Sequence, residues 1–396
     1  MFQINIATKS LTIELARFFN LCVPKEEKPV TKQSYSEARM KMNHTAYIEL
    51  NEDLVKEYYA GKDYKTYKGY RLLAIDGSKI HVPKNQDTIA AYGMLGAKGK
   101  EIPMATISTA YDVLNNLSVN TYLARGDSSE RTLMENHIEK IRQTTPHAKD
   151  LLIADRGYPS LYLFIKMMEN GYDFVIRCSE KGFLNEVKTF AKSAESERLV
   201  TISLDKSIRR NVSTDKLVKK PKALLLRLVK IEIGMGKTEY LITSLTNKKE
   251  FTIADLKEIY HLRWSIETYF NLQKNVFELE NLSGKTSETV KQDYFARVLS
   301  GNLSSLLIEE AQASIENIDT NNPLKKRRKV NRSVAIGLLK DQMIDLLFLP
   351  DKQRKEKYDT LIAMVLKFTV PIIKNRHLPR NFRFHTNCFR KKRKTI

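Results

Sequence analysis

The sequence predicts an α/β protein, and three features carry that expectation. Two short apolar runs end in aspartate, RLLAID at Arg71–Asp76 and LLIAD at Leu151–Asp155, each with the length and composition of a buried strand. From residue 70 the patterns follow in the order strand, strand, strand, helix, strand, helix, strand. Beyond residue 250 a capping-box motif opens a helix with no Gly or Pro before Gly284.

Taken in order, residues 1–65 are mostly helical in pattern, broken by PKEEKPVTK at 24–32. Thr31 through Met42 can cap and form a helix with Arg39 and Lys41 on its exposed side. It reads either as a recognition helix or as an ordinary solvated amphipathic helix. Arg71–Asp76 is the first strand, ending in an acid before Gly77, and Ile102–Val113 and Leu117–Leu123 are two strands joined by Asn115 and Asn116. A helix follows over Ser128–Arg142, where Ser128 begins an S-x-x-R start. Leu151–Asp155 is the next strand, Pro159 opens a helix through Met168, and Asp173–Cys178 is another buried strand.

Residues 181–250 are Lys-rich and interrupt the alternation, with a hairpin of Ala223–Ile233 and Thr238–Thr246 across Gly234-Met235-Gly236. Thr252 and Asp255 supply the capping box of the long helix. The C-terminal third is helical, with basic runs at Lys325–Lys329 and Arg390–Lys394. The expected organisation is a helical region at 1–65, a first part of the core at 66–180 and a β-rich insertion at 181–250. The second part of the core follows at 251–320, and a basic helical region at 321–396.

Lys and Arg number 67 against 46 Asp and Glu, a formal charge of +21 that argues for a polyanionic partner, most often nucleic acid. The three cysteines, Cys22, Cys178 and Cys388, form no C-x-x-C pair, which speaks against a disulfide framework and a Cys-based zinc finger. There is no secretory signal and no apolar stretch of about 18 residues, so no membrane role is expected. The expectation is a cytoplasmic, nucleoid-associated protein.

The chemistry resides in few residues. Tyr260, Arg263, Glu267 and Lys274 fall at offsets 0, 3, 7 and 14. On one helix, at ~100° per residue, they project within about 60° of each other. Arg and Lys on such a stripe can hold successive phosphates of a DNA strand, and Glu267 a metal at the scissile one. The same stripe can be a solvated face, with Arg263 and Glu267 an i,i+4 ion pair. Asp76 and Asp155 close two buried strands of one α/β unit. As neighbours in a sheet they would converge at one edge, where clustered carboxylates repel unless a cation lies between them. Oxygen ligands of this kind suit Mg²⁺ or Mn²⁺. Each aspartate alone is equally well a turn or helix cap.

The spacing Y-x2-R-x3-E-x6-K, with the flanks LLAIDGS and LIADRGYPS, resembles the YREK signature and the aspartate motifs of the insertion sequence 4 group of DDE transposases. The resemblance covers about residues 70–280. It implies a ribonuclease H-like mixed sheet flanked by helices, with Asp76 on the first strand, Asp155 on the fourth, and a β-rich insertion before the glutamate helix. It implies that Asp76, Asp155 and Glu267 bind Mg²⁺, with Mn²⁺ able to substitute, and that Tyr260, Arg263 and Lys274 contact DNA. The implied partners are terminal inverted repeats and target DNA, with a homodimer at synapsis. Some members stack a base on an aromatic of the insertion. The single tryptophan here, Trp264, lies in the signature helix, which leaves Tyr240 as the hairpin's candidate.

Overall fold

The structure, a computed structural model, describes residues 2–4, 10–22, 30–61, 63–182, 184–204, 221–233, 238–320 and 327–372. The chain divides into two compact units, Glu52–Asn271 and a second formed by Met1–Asn51 with Leu272–Ile396.

The Glu52–Asn271 unit is built on a sheet with nine strands among the described residues. They are β1 (Arg71–His81), β2 (Met94–Leu95), β3 (Ile102–Asp112), β4 (Leu117–Arg125), β5 (Asp150–Ala154), β6 (Asp173–Cys178), β7 (Glu197–Ser203), β8 (Ala223–Glu232) and β9 (Thr238–Thr243). Their order across the sheet is β2-β3-β1-β5-β6-β9-β8-β7, with β4 also paired to β3. β1, β3 and β4 are antiparallel neighbours, whereas β5 runs parallel to β1 and β6 parallel to β5. Helices Glu130–Thr144 and Leu161–Glu169 pack against this mixed sheet. The architecture is the mixed α/β sheet flanked by helices that the resemblance implies.

Burial explains the central strands. Leu72, Leu73, Ala74 and Ile75 of β1 and Leu151–Ala154 of β5 are fully buried, so both strands read as unbroken apolar runs. Their register begins at a charged pair. Arg71 lies opposite Asp150, with Nε to Oδ1 at 2.6 Å and Nη2 to Oδ2 at 3.0 Å, both side chains fully buried. A one-residue slip would strand both charges without partners in the interior, a penalty of several kcal/mol, on the order of 3–5.

One expectation is corrected here. Asp76 does not end its strand, because β1 continues to His81, held by β3 down to the His81–Met104 pair. Only the parallel ladder with β5 stops at this level, at Ile75–Ala154. A strand whose two neighbours differ in length carries its acid mid-strand, at the step where one neighbour gives out.

The hairpin of the 181–250 segment forms as expected, β8 with β9, and β7 adds to β8. β9 in turn pairs with β6, from Val175–Thr243 to Cys178–Tyr240, so these strands extend the main sheet. The Gly234–Gly236 turn, Lys219 and Lys220 lie outside the described residues.

The capping box closes as the sequence predicts: the Asp255 N–H donates to Thr252 Oγ1 at 3.2 Å and the Thr252 N–H to Asp255 Oδ2 at 2.8 Å. The helix it opens is not continuous. Ile253–Leu262 and Trp264–Asn275 meet at Arg263, whose N–H bonds to Tyr260 O at 3.2 Å, while Ile266 N–H bonds to Arg263 O at 3.1 Å. Three-residue bonds replace four-residue ones at the join, so a stripe at a constant 100° per residue does not run through it.

In the second unit, helices Leu11–Cys22, Lys32–Arg39, Ser287–Thr320, Arg332–Phe348 and Asp351–Leu366 accompany a small ribbon, β10 (Arg328–Val330) with β11 (Thr369–Pro371). Phe2, Leu11, Leu15 and Phe18 pack with Ile344. Thr31 caps its helix by accepting from the Ser34 N–H. Arg39, expected on the exposed side, is buried. It pairs with Asp293 at 3.0 Å and bonds Gln292 and Ser283. The pattern of Lys32–Arg39 is mostly polar, and an arginine whose partner sits about 250 positions away is invisible to periodicity. Lys41 is exposed beyond the helix end. No helix among the described residues is long and apolar enough to cross a membrane. Lys325 and Lys326 of one basic run, and all of Arg390–Lys394, lie outside the described residues.

Candidate active site

Asp76 and Asp155 directly follow Ile75 and Ala154, the last pair of the parallel ladder, and so share one edge of the β1–β5 seam. Each carboxylate first accepts a backbone N–H: Asp76 from Gly77 at 2.9 Å and Asp155 from Arg156 at 2.6 Å. Their surroundings then diverge. Arg177 on β6 grips Asp155 with both arms, Nε to Oδ1 at 2.6 Å and Nη2 to Oδ2 at 3.0 Å, and also pairs with Glu239 on β9. The Tyr260 hydroxyl donates to Asp155 Oδ1 at 3.4 Å.

Arg263 stands at the centre. Its side chain is only 3% exposed, with Nη2 3.0 Å from Glu267 Oε1 and Nη1 3.7 Å from Asp76 Oδ2. Its guanidinium lies near the rings of Tyr260 and Trp264, 5.6 and 5.2 Å from their centroids. Nε has no hydrogen-bond partner among the described residues. Asp76 and Glu267 therefore approach one buried cation, which the join in the glutamate helix positions.

The electrostatics separate the two aspartates. Burial lifts Asp76 to about 6, opposed by the Gly77 N–H and Arg263 and reinforced by the charges of Glu130 and Asp155. Burial acts upward on Asp155 too, but the Arg156 N–H and Arg177 outweigh it and hold Asp155 below the usual carboxylate range. Burial acts downward on Arg263, and Tyr260, Asp155, Asp76 and Glu267 more than offset it, so the guanidinium stays charged.

The sequence residues are thus partly brought together. Asp76, Asp155, Tyr260, Arg263 and Glu267 form one connected cluster, in which Tyr260 and Arg263 are buried and Glu267 is 42% exposed. Lys274 lies on the last turn of the Trp264–Asn275 helix and belongs to the second unit. Tyr240 is half-buried on β9, in register with Cys178 and Lys230 on its two sides. His261 is exposed, and His81 ends β1.

One carboxylate went unnoticed in the sequence. Glu130 opens the helix after β4. A Cβ on Gly77 would lie 3.2 Å from its Oε1, and a Cβ on Gly157 would lie 3.2 Å from its Oε2. The signal was the glycine in each aspartate motif, Gly77 in LLAIDGS and Gly157 in LIADRGYPS. Both keep room for the same side chain.

The donors around this edge are all carboxylate oxygens, which suits a hard divalent cation. Guanidinium groups stand against them in this structure, and among the described residues no three of His, Cys, Asp and Glu are arranged to hold a metal ion. The donor chemistry fits, and the space kept open at Gly77 and Gly157 fits a crowded anionic edge. Assembly of a ligand set requires Arg263 to yield Asp76 and Glu267.

The chain is similar to known transposases. The transposase InsG of insertion sequence element IS4 from Escherichia coli K12 is 22% identical over 296 residues, 73% of this chain and 64% of that protein. A probable transposase of insertion sequence element IS5377 from Geobacillus stearothermophilus is 22% identical over 160 residues, 40% of each chain. The chain thus spans less than two thirds of the length of these relatives. A piggyBac transposase in a synaptic complex with hairpin DNA aligns with a TM-score of 0.42 at 12% identity, over 74% of this chain and 57% of that one. Residues 67–303, more than half of the chain and including both aspartate motifs and the glutamate helix, match the transposase DDE domain, and the chain belongs to that family.

Proposed function

We propose that this protein is a transposase that binds the terminal inverted repeats of an insertion sequence and carries out metal-dependent cleavage and strand transfer of DNA. The observation that supports the reading is that Asp76 and Asp155 stand at one edge of the β1–β5 seam, with Arg263 between Asp76 and Glu267. The formal charge of +21 supports a polyanionic substrate.

In this reading Asp76, Asp155 and Glu267 would hold Mg²⁺, with Mn²⁺ able to substitute. The bound ion supplies Lewis-acid stabilisation of the phosphate oxygens and lowers the pKa of the attacking water. Cleavage is an in-line displacement. The water oxygen bonds to phosphorus as the P–O3′ bond breaks, leaving a 3′-OH and a 5′-phosphate. In strand transfer that 3′-OH bonds to a target phosphorus while a target P–O3′ bond breaks.

Arg263 would exchange Asp76 and Glu267 for a DNA phosphate, which keeps its charge paired and would leave both carboxylates for the cation. Tyr260 contacts DNA near the cut end, and Lys274 contacts a DNA phosphate. Arg177 keeps Asp155 ionised and oriented. Synapsis of two ends requires a dimer on DNA.

The direct test is a strand-transfer assay with pre-cleaved ends, the full chain and Mg²⁺. Joined products support the reading. Cleavage of intact ends without joining would instead make the protein a nuclease of the same core.

A further inference from the structure

We infer that Glu130 is a fourth carboxylate of the metal site, holding the cation together with Asp76. The inference rests on the transposase reading and extends it by one residue. Glu130 begins the helix Glu130–Thr144, which packs on β3 and β4 and delivers its first turn to the edge where β1 and β5 part. Its two carboxylate oxygens face the two aspartate motifs separately: Oε1 stands 3.2 Å from the position of a Cβ on Gly77, and Oε2 3.2 Å from that of a Cβ on Gly157. Gly77 adjoins Asp76 and Gly157 is two residues beyond Asp155, so one side chain spans both.

Among the described residues nothing else uses this carboxylate. Among the described residues it accepts no hydrogen bond and forms no ion pair, although Arg131 beside it donates to Gly157 O at 3.0 Å. Asp155 has Arg177, and Glu267 and Asp76 have Arg263. Glu130 alone adds a negative charge next to Asp76 without a cation of its own. That arrangement raises the energy of the empty site and lowers it when a divalent cation binds, because carboxylates in close range repel until a cation lies between them. A side chain at Gly77 or Gly157 would push the carboxylate off this line, which gives both glycines a reason beyond backbone freedom.

Mn²⁺ binding to the full chain with a cleaved DNA end, whose phosphate Arg263 can take in exchange, tests this; it is followed by the electron paramagnetic resonance signal of the free ion, against the same DNA without protein. Wild type should bind Mn²⁺, and Asp76→Asn should lose it. Glu130→Gln should weaken binding by about tenfold or more at unchanged Tm, while Glu139→Gln should leave it as in wild type. Glu139 is on the same helix but pairs with Lys166, away from the site. Should Glu130→Gln fail to fold, Gly77→Ala decides, since its methyl presses on Oε1: weakened binding supports the role and wild-type binding overturns it. Wild-type affinity in folded Glu130→Gln, with binding lost in Asp76→Asn, would remove Glu130 from the site and leave the transposase reading intact. If wild type with the DNA end binds no Mn²⁺ beyond that held by the DNA, both fall.

Discussion

Asp76 and Asp155 each stand one residue past Ile75–Ala154, the pair at which the parallel ladder of β1 and β5 ends. That ladder begins four residues earlier at the buried Arg71–Asp150 pair, so a structural ion pair at one end sets the alignment of the two candidate acids at the other. Anchoring comes from the interior, where a charge left unpaired costs most.

The burial of Arg39 removes it from any DNA surface and makes it a stability element of its unit. Asp293→Ala leaves the Arg39 guanidinium buried without its acid, and truncations of this kind cost about 3–5 kcal/mol. The drop should be visible in denaturant melts, while affinity for non-specific DNA in the folded protein stays unchanged. A melt as stable as wild type would mean that Gln292 and Ser283 hold Arg39 without Asp293.

His137 provides an acid-sensitive point in the core. It is fully buried between Ser108 and Asn120, and burial pushes its pKa down to about 3, with the Ser108 contact acting upward. The unfolded chain takes up that proton near pH 6.5. Stability from this group is therefore complete above about pH 6.5 and is lost progressively as pH falls towards 3. His137→Gln should flatten the decline of Tm between pH 6.5 and 5 relative to wild type. An unchanged slope would show that carboxylates alone set it.

The phosphate role of Lys274 is read from the salt dependence of end binding. Lys274→Ala should weaken binding to cleaved ends and reduce the slope of log K against log salt by roughly 0.9, one phosphate's worth. Lys355, exposed on the Asp351–Leu366 helix, is the control. Lys340 is unsuitable because it pairs with the buried Glu14. Equal effects of the Lys274 and Lys355 changes on both affinity and slope would end the phosphate assignment.

Much of this was legible in the sequence because it is local. RLLAID and LLIAD announced buried strands, Thr252 and Asp255 announced their cap, and β8 and β9 announced their hairpin. What escaped depends on distant partners. β1 outlasts β5 because β3 continues beside it, Arg39 is buried because Asp293 awaits it, and the break at Arg263 carries no Gly or Pro to mark it. Glu130 looked like an ordinary acid in a first helical turn, and only its distance to two glycines reveals its place.

The central claim is that Asp76, Asp155 and Glu267 act as one centre, and cleavage of DNA carrying the element's own terminal repeat tests it most directly. Asp76→Asn, Asp155→Asn and Glu267→Gln should each abolish cleavage in Mg²⁺ while the folded proteins still bind the end. Asp76→Asn should bind as well as wild type or tighter, since it removes negative charge beside the DNA. Cleavage at the wild-type rate by any one of the three would contradict the account.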